Sequence, residues 1–217
     1  MRAIAAFLLP VTLMLAGCAS TPMRTYSEPP RVLFVGDSLT DGFFATDQES
    51  GFKSVVLSSL IEVEPTETAL AHQTLTTVSR ILDVPERLDL AVVELGTNDV
   101  GEKTDLVSFE QQYNSLLGRI RETSDDALLI CMGTWTTWGD SYDKVIEKSC
   151  GRSNGTYIDL SKIMSKDGTR GPVGDSTFVG PRDDFHPNDL GHQLIAEKTT
   201  EVIKKKAPGM IRATTQG

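Results

Sequence analysis

The sequence predicts an α/β domain of three layers, with helices on both faces of a central parallel sheet. Three observations carry this expectation. Strand-like and helix-like segments alternate from Arg31 onward. The strongest strand candidates, residues 32–35 (VLFV), 88–95 (LDLAVVEL) and 127–132 (ALLICM), are largely apolar runs, the pattern of strands covered on both faces. Two of them end at a glycine, Gly36 and Gly96, where a chain can turn away from a sheet. Right-handed crossovers should connect the strands.

Taken in order, residues 32–35 form the first strand, and 52–61 spread their apolar positions as a helix does. Residues 68–71 are a weaker strand. Residues 75–82 suit a helix stopped by Pro85, because proline cannot continue the backbone ladder. Residues 88–95 give the second strong strand. Residues 104–122 are the clearest helix, with Leu106, Phe109, Tyr113, Leu116, Leu117 and Ile120 recurring at helical spacing. Residues 127–132 give the third strong strand, 142–149 a helix and 157–160 a short strand. Residues 190–205 close the domain as a helix whose last-turn lysines complement its dipole. The domain therefore spans 31–206, with a short tail at 207–217. No internal repeat or later linker interrupts it.

Residues 1–30 read differently. Arg2 precedes an apolar run over 3–16, shorter than the roughly 20 residues a membrane-spanning helix needs. A basic start, a short apolar core and small residues after it mark an export signal. Leu15-Ala16-Gly17-Cys18 resembles the bacterial lipobox. Cleavage there would remove residues 1–17 as a signal peptide and leave Cys18 lipidated. An ordinary signal peptide with a coincidental cysteine is the plainer alternative. Residues 18–30 carry Pro22, Pro29 and Pro30 without periodicity, as a tether would. Ala19, where an aspartate would favour retention, resembles an outer-membrane sorting signal. The expected location is the bacterial cell envelope, lipid-anchored and facing the periplasm.

Composition narrows the partners. Among 217 residues, 39% are hydrophobic, too many for an acidic disordered chain. Thirty Asp+Glu against 21 Lys+Arg argue against binding nucleic acid, which needs clustered cations. Three cysteines cannot build a disulfide scaffold. With Cys18 lipidated, Cys131 and Cys150 remain. An exported domain permits a bond between them, but the place of Cys131 inside an apolar strand favours two buried thiols. No His/Cys/Asp cluster has metal-ligand spacing, and no metal or cofactor is expected.

In a parallel sheet, ligands bind beyond the carboxyl ends of the strands. The first strong strand is followed by Gly36-Asp37-Ser38-Leu39-Thr40, and the second by Gly96-Thr97-Asn98-Asp99. Asp183-Asp184-Phe185-His186-Pro187-Asn188 precedes the closing helix. A serine, an amide and an Asp–His pair supply a nucleophile, an oxyanion donor, a base and a group to orient it.

These three blocks, in this order, resemble those of the SGNH (GDSL) hydrolase family over residues 31 to about 200. The resemblance implies a flavodoxin-like α/β/α fold and a serine esterase. It makes Ser38 the nucleophile, His186 the base and Asp183 the residue that orients His186. It makes the Asn98 amide and the Ser38 backbone N–H oxyanion donors. The family's further donor is a glycine after the second strand. No glycine lies between Gly51 and Gly96, and Thr74, within AHQTLTT at 71–77, is the match. The implied substrate is a carboxylic ester: a lipid ester, a thioester or an acetylated sugar. Two alternatives stand: acyl transfer to a sugar hydroxyl on the same fold, and a non-catalytic lipoprotein that binds an envelope component.

Neighbouring residues have plainer readings. Asp37 and Asp99 should brace loops, and Asp184 should be solvated, leaving Asp183 to His186. His192 should pack or cap the closing helix. His72 is read as structural, with a site role the lesser reading. Residues 151–155 (GRSNG) match G-x-S-x-G, but a helix precedes them and a strand follows, the reverse of a nucleophile elbow, so they should be a turn. Trp135 and Trp138 serve equally as an apolar or sugar-stacking wall and as loop packing.

Overall fold

The computed structural model describes residues 25–213. Its sheet grows from the apolar runs. Strands β1 (Arg31–Gly36), β3 (Leu90–Glu94) and β4 (Leu128–Met132) form the middle, flanked by β2 (Glu64–Ala69) and β5 (Thr156–Ile158). All pairings are parallel, in the order β2-β1-β3-β4-β5. Alternate residues feed two cores. Val32, Phe34, Leu90, Val92, Ile130 and Met132 pack under α1 (Phe52–Ser59), α6 (Ser161–Met164) and α7 (Asp189–Lys206). Leu33, Val35, Ala91, Val93, Leu129 and Cys131 pack under α2 (Leu75–Ile81), α4 (Leu106–Thr123) and α5 (Asp140–Arg152). Burial on both faces is why these strands are apolar without alternation. The predicted three-layer α/β/α fold is the one observed.

The starts of α4 and α7 follow from side-chain caps. Asp105 accepts from the Ser108 N–H at 2.9 Å ahead of α4, and Asn188 accepts from Gly191 at 3.1 Å ahead of α7. Each satisfies a first-turn donor that has no partner within its helix.

The differences from the sequence reading have physical causes. β2 begins at Glu64 rather than at residue 68, because an exposed edge strand (EPTETA) has no apolar run to betray it. The Gly96–Asp99 block opens a short helix, α3 (Thr97–Glu102), where a loop was expected. A small hairpin, β6 (Ser176–Thr177) and β7 (Gly180–Pro181), is too short for any period to register. Cys131 and Cys150 form a disulfide rather than two free thiols. Cys131 points from β4 towards α5, and the Cα atoms lie 6.0 Å apart, within bridging range. Residues 151–155 are the end of α5 and the turn into β5. The signal segment 1–17, Cys18, residues 19–24 of the tether and 214–217 of the tail lie outside the described residues. Among the described residues, no helix is long and apolar enough to cross a membrane.

The chain steps from β1 outward to β2, then back across β1 to β3. This reversal leaves a crevice beyond the carboxyl ends of β1 and β3, the place where such sheets bind ligands.

Candidate active site

Gly36 and Glu94 are register partners at the ends of β1 and β3. A Cβ at Gly36 would stand 1.9 Å from Thr40 Oγ1 and 2.9 Å from the Glu94 carbonyl, so only glycine lets the next turn fold back this tightly. That turn carries Ser38. The Asp37 carboxylate accepts from the Leu39 N–H at 3.1 Å, and the Ser38 carbonyl accepts from the Phe43 N–H at 2.9 Å. Beneath it, Glu94 accepts from Thr40 Oγ1 at 3.0 Å and from the Asp37 N–H at 3.3 Å. Asp37 and Glu94 are both fully buried. Burial pushes Asp37 up to about 7 and, with the neighbouring Asp37 carboxyl, holds Glu94 well above the ordinary range. Two adjacent buried carboxyls cannot both ionise cheaply, so the pair retains a proton near neutrality.

The loop before α7 supplies the partner. Ser38 Oγ lies 3.1 Å from His186 Nε2, and His186 Nδ1 lies 2.6 Å from Asp183 Oδ2. The other Asp183 oxygen accepts the backbone N–H groups of His186 (2.8 Å) and Phe185 (3.0 Å). With Nδ1–H donating to Asp183, Nε2 faces the Ser38 hydroxyl as an acceptor. Burial lowers the His186 pKa below its usual value, against the upward pull of Asp183. Burial raises Asp183, but its bonds from the His186 backbone and ring together hold it below the ordinary range. Ser38 is 3% exposed and His186 7%. Nucleophile, base and orienting group thus stand within hydrogen-bond reach, the geometry that activates a serine for acyl chemistry.

Asn98 sits in the first turn of α3. Gly96, at φ +129°, allows the chain to turn into that helix. The Asn98 amide donates to Asp37 Oδ2 at 2.9 Å and to the Gln73 carbonyl at 3.1 Å. Asp37 therefore fixes the amide from behind, besides bracing its own turn. Asp99 accepts from the Leu75 N–H at 2.9 Å and anchors the start of α2. Thr74 is the N-terminal cap residue of α2, and the left-handed backbone of this segment belongs to His72, at φ +61°. The His72 ring is exposed and stands 6.4 Å from that of His186, edge to face.

Other residues separate clearly. Asp184 is exposed and makes way for Asp183. His192 is fully buried. Its Nε2 donates to the Phe43 carbonyl at 3.0 Å and its Nδ1 accepts from the Phe52 N–H at 3.3 Å, so it packs the closing helix and steadies the loop after Ser38. The two tryptophans divide. Trp135 is buried and donates from Nε1 to the Phe185 carbonyl at 2.7 Å, supporting the loop that carries His186. Trp138 is 65% exposed. Three contributors escaped the sequence reading: Glu94, which looked like any strand residue; Phe44, whose ring lies 4.5 Å from that of His186; and Arg182, which is buried beside Asp183. A charged residue abutting a motif was the one signal available for Arg182. Among the described residues, no three His, Cys, Asp or Glu side chains gather as a metal site would.

A model of the GDSL-like Lipase/Acylhydrolase family matches residues 34–194. A cellulase/esterase, CelE of Acetivibrio thermocellus, is 29% identical over 124 residues, covering 54% of this chain but only 14% of the relative. The chain therefore spans about one seventh of that enzyme's length. An uncharacterized protein of Bacillus subtilis, YpmR, is 24% identical over 92% of this chain and 96% of its own. Among solved structures, a family two carbohydrate esterase from Clostridium thermocellum superposes with a TM-score of 0.65 at 19% identity, covering 84% of this chain and 66% of that one. The salicylyl-acyltransferase SsfX3 from a tetracycline biosynthetic pathway superposes at 0.63 and 18% identity, covering 86% and 57%. At such identities the superpositions establish the shared fold.

Proposed function

Because this chain belongs to the GDSL-like lipase/acylhydrolase family, we propose that it is an ester-hydrolysing enzyme that cleaves carboxylic esters through an acyl-enzyme on Ser38. The observation that carries this reading is the unbroken run Ser38 Oγ–His186 Nε2–Asp183, at 3.1 and 2.6 Å. His186 Nε2 takes the hydroxyl proton as Ser38 Oγ attacks the ester carbonyl. The tetrahedral oxyanion is met by the Asn98 amide and the Ser38 backbone N–H. The entering oxyanion competes with the Gln73 carbonyl for one Asn98 proton, so Asn98 exchanges a resting bond for a transition-state bond. We place the further donor at the N–H of His72 rather than at Thr74, since the left-handed backbone there is one a glycine would readily adopt. His186 then protonates the leaving alcohol. A water, deprotonated by the same imidazole, releases the acyl group as a carboxylic acid and restores Ser38.

The substrate we favour is an acylated carbohydrate, such as an acetylated sugar, over a lipid ester or a thioester. Support comes from the cellulase/esterase relative and the carbohydrate-esterase neighbours. Acyl transfer to a sugar hydroxyl is a second reading, favoured by the acyltransferase neighbour. The location we favour is the bacterial envelope, lipidated on Cys18 and facing the periplasm from the outer membrane, a reading supported by the lipobox-like LAGC. Short-chain p-nitrophenyl esters and acetylated oligosaccharides test the chemistry. Ser38→Ala should lose at least about 10³-fold in kcat while keeping its fold. Equal turnover by wild type and variant would sink the mechanism.

A further inference from the structure

His186 is gripped on more than its Asp183 edge. Phe44 lays its ring 4.5 Å from the imidazole, centroid to centroid, with the planes 33° apart. It does so from a left-handed backbone, φ +66°, a conformation rare for a bulky residue and maintained only where the surroundings impose it. The surroundings here centre on one side chain. Arg182, 6% exposed, donates from Nε to the Phe44 carbonyl at 2.9 Å and from Nη2 to Thr46 Oγ1 at 3.2 Å. Its guanidinium lies 3.6 Å from Asp189 at the start of α7 and 3.4 Å from Asp175 beside the small hairpin. Asp189 in turn accepts from both the N–H and the hydroxyl of Thr46 at 2.6 Å. Arg182 also immediately precedes Asp183 in the chain. A single buried cation therefore ties the loop that covers the face of His186 to the loop that orients its edge.

We propose that Phe44 and Arg182 are positioning residues for the base: Arg182 fixes the strained Phe44 backbone, and the Phe44 ring holds the His186 imidazole dry and aimed at Ser38. This rests on the reading of His186 as the base. The ring contact supplies part of the burial that lowers the His186 pKa. The titratable and charged groups facing this imidazole are Asp183 of its own loop, His72 of the loop after β2 and, more distantly, His192 of α7, with Ser38 from the loop after β1.

The chain has three histidines, so imidazole NMR can follow each through a pH titration of the whole protein. In Phe44→Ala and Arg182→Gln, the His186 titration should rise towards 6.5; His192 should stay in place in Phe44→Ala and rise in Arg182→Gln, where the charge that helps to lower it is gone. The acid limb of kcat/KM should move with His186, and kcat at pH 7 should fall about tenfold with a smaller change in KM. Phe44→Leu, which keeps an apolar cover, and Arg182→Lys, which keeps the charge without the fork, should fall between. An unmoved His186 titration with wild-type kcat in Phe44→Ala overturns the proposal. If Arg182→Gln does not fold, Phe44→Ala and Arg182→Lys decide it. A wild type inert on every ester would overturn the esterase reading, while the NMR titration still decides whether Phe44 and Arg182 hold the ring.

Discussion

His186 carries a neutral imidazole where Asp183 alone would favour the charged form, and that balance sets the pH at which the enzyme works. A protonated imidazole has no lone pair for the Ser38 proton. Burial disfavours the cation, so the proton returns only at a pH below the ordinary histidine value of 6.5. The acid limb of kcat/KM for a short ester should therefore have its midpoint below 6.5, with full activity retained above it. A pH–rate profile checks this, and a midpoint above 6.5 would reverse the sign of the argument. Asp183→Asn should lower kcat by about 10⁴, because the imidazole loses its fixed tautomer. Ser38, Asn98, Asp183 and His186 were legible in the sequence because their side-chain chemistry is needed at set places in turns. Phe44 and Arg182 were not, because what places them is a backbone angle or a buried bond between loops distant in sequence.

Among the elements, β1, β3 and β4 were legible because burial on both faces demands apolar residues throughout. β2 was displaced by several residues because an exposed edge needs none, and the site does not depend on its side-chain pattern. The disulfide was missed for a related reason. Residence in an apolar strand is equally compatible with a buried thiol and a buried bridge, and only the placement of α5 against β4 distinguishes them. Cys131–Cys150 closes a loop with a sequence separation of 19 and joins a central strand to the helix over it. Restricting the unfolded chain to that extent is worth about 3 kcal/mol. The Cys131→Ala/Cys150→Ala variant should lose about that much in urea unfolding under oxidising conditions. Wild type in reductant should lose a similar amount, and coincident curves under oxidising conditions would show that the bridge adds no stability.

At the scale of the molecule, the proposed anchor would join the domain at one end of β1, and the catalytic serine lies past the other. The chain enters at Pro30, whose carbonyl accepts from the Glu64 N–H at 2.8 Å, and Arg31 follows with its N–H on Asp89 at 2.9 Å. Ser38 lies past the other end, about 20 Å away for six residues of strand. The segment leading back to Cys18 therefore joins the domain at the amino ends of the strands, opposite the catalytic crevice. An anchor attached there would join the domain at the end remote from the crevice and leave its mouth unobstructed. This geometry suits an extended, solvated substrate such as an acylated glycan better than an ester in the anchoring bilayer. It also predicts that anchoring and catalysis are separable. Cys18→Ser should shift the protein from the membrane to the soluble fraction while turnover of a soluble p-nitrophenyl ester per molecule stays within about twofold, since the substitution lies beyond the far end of the sheet. Continued membrane association would refute the lipid anchor. Release with a large loss of turnover would show that the leading segment reaches the site.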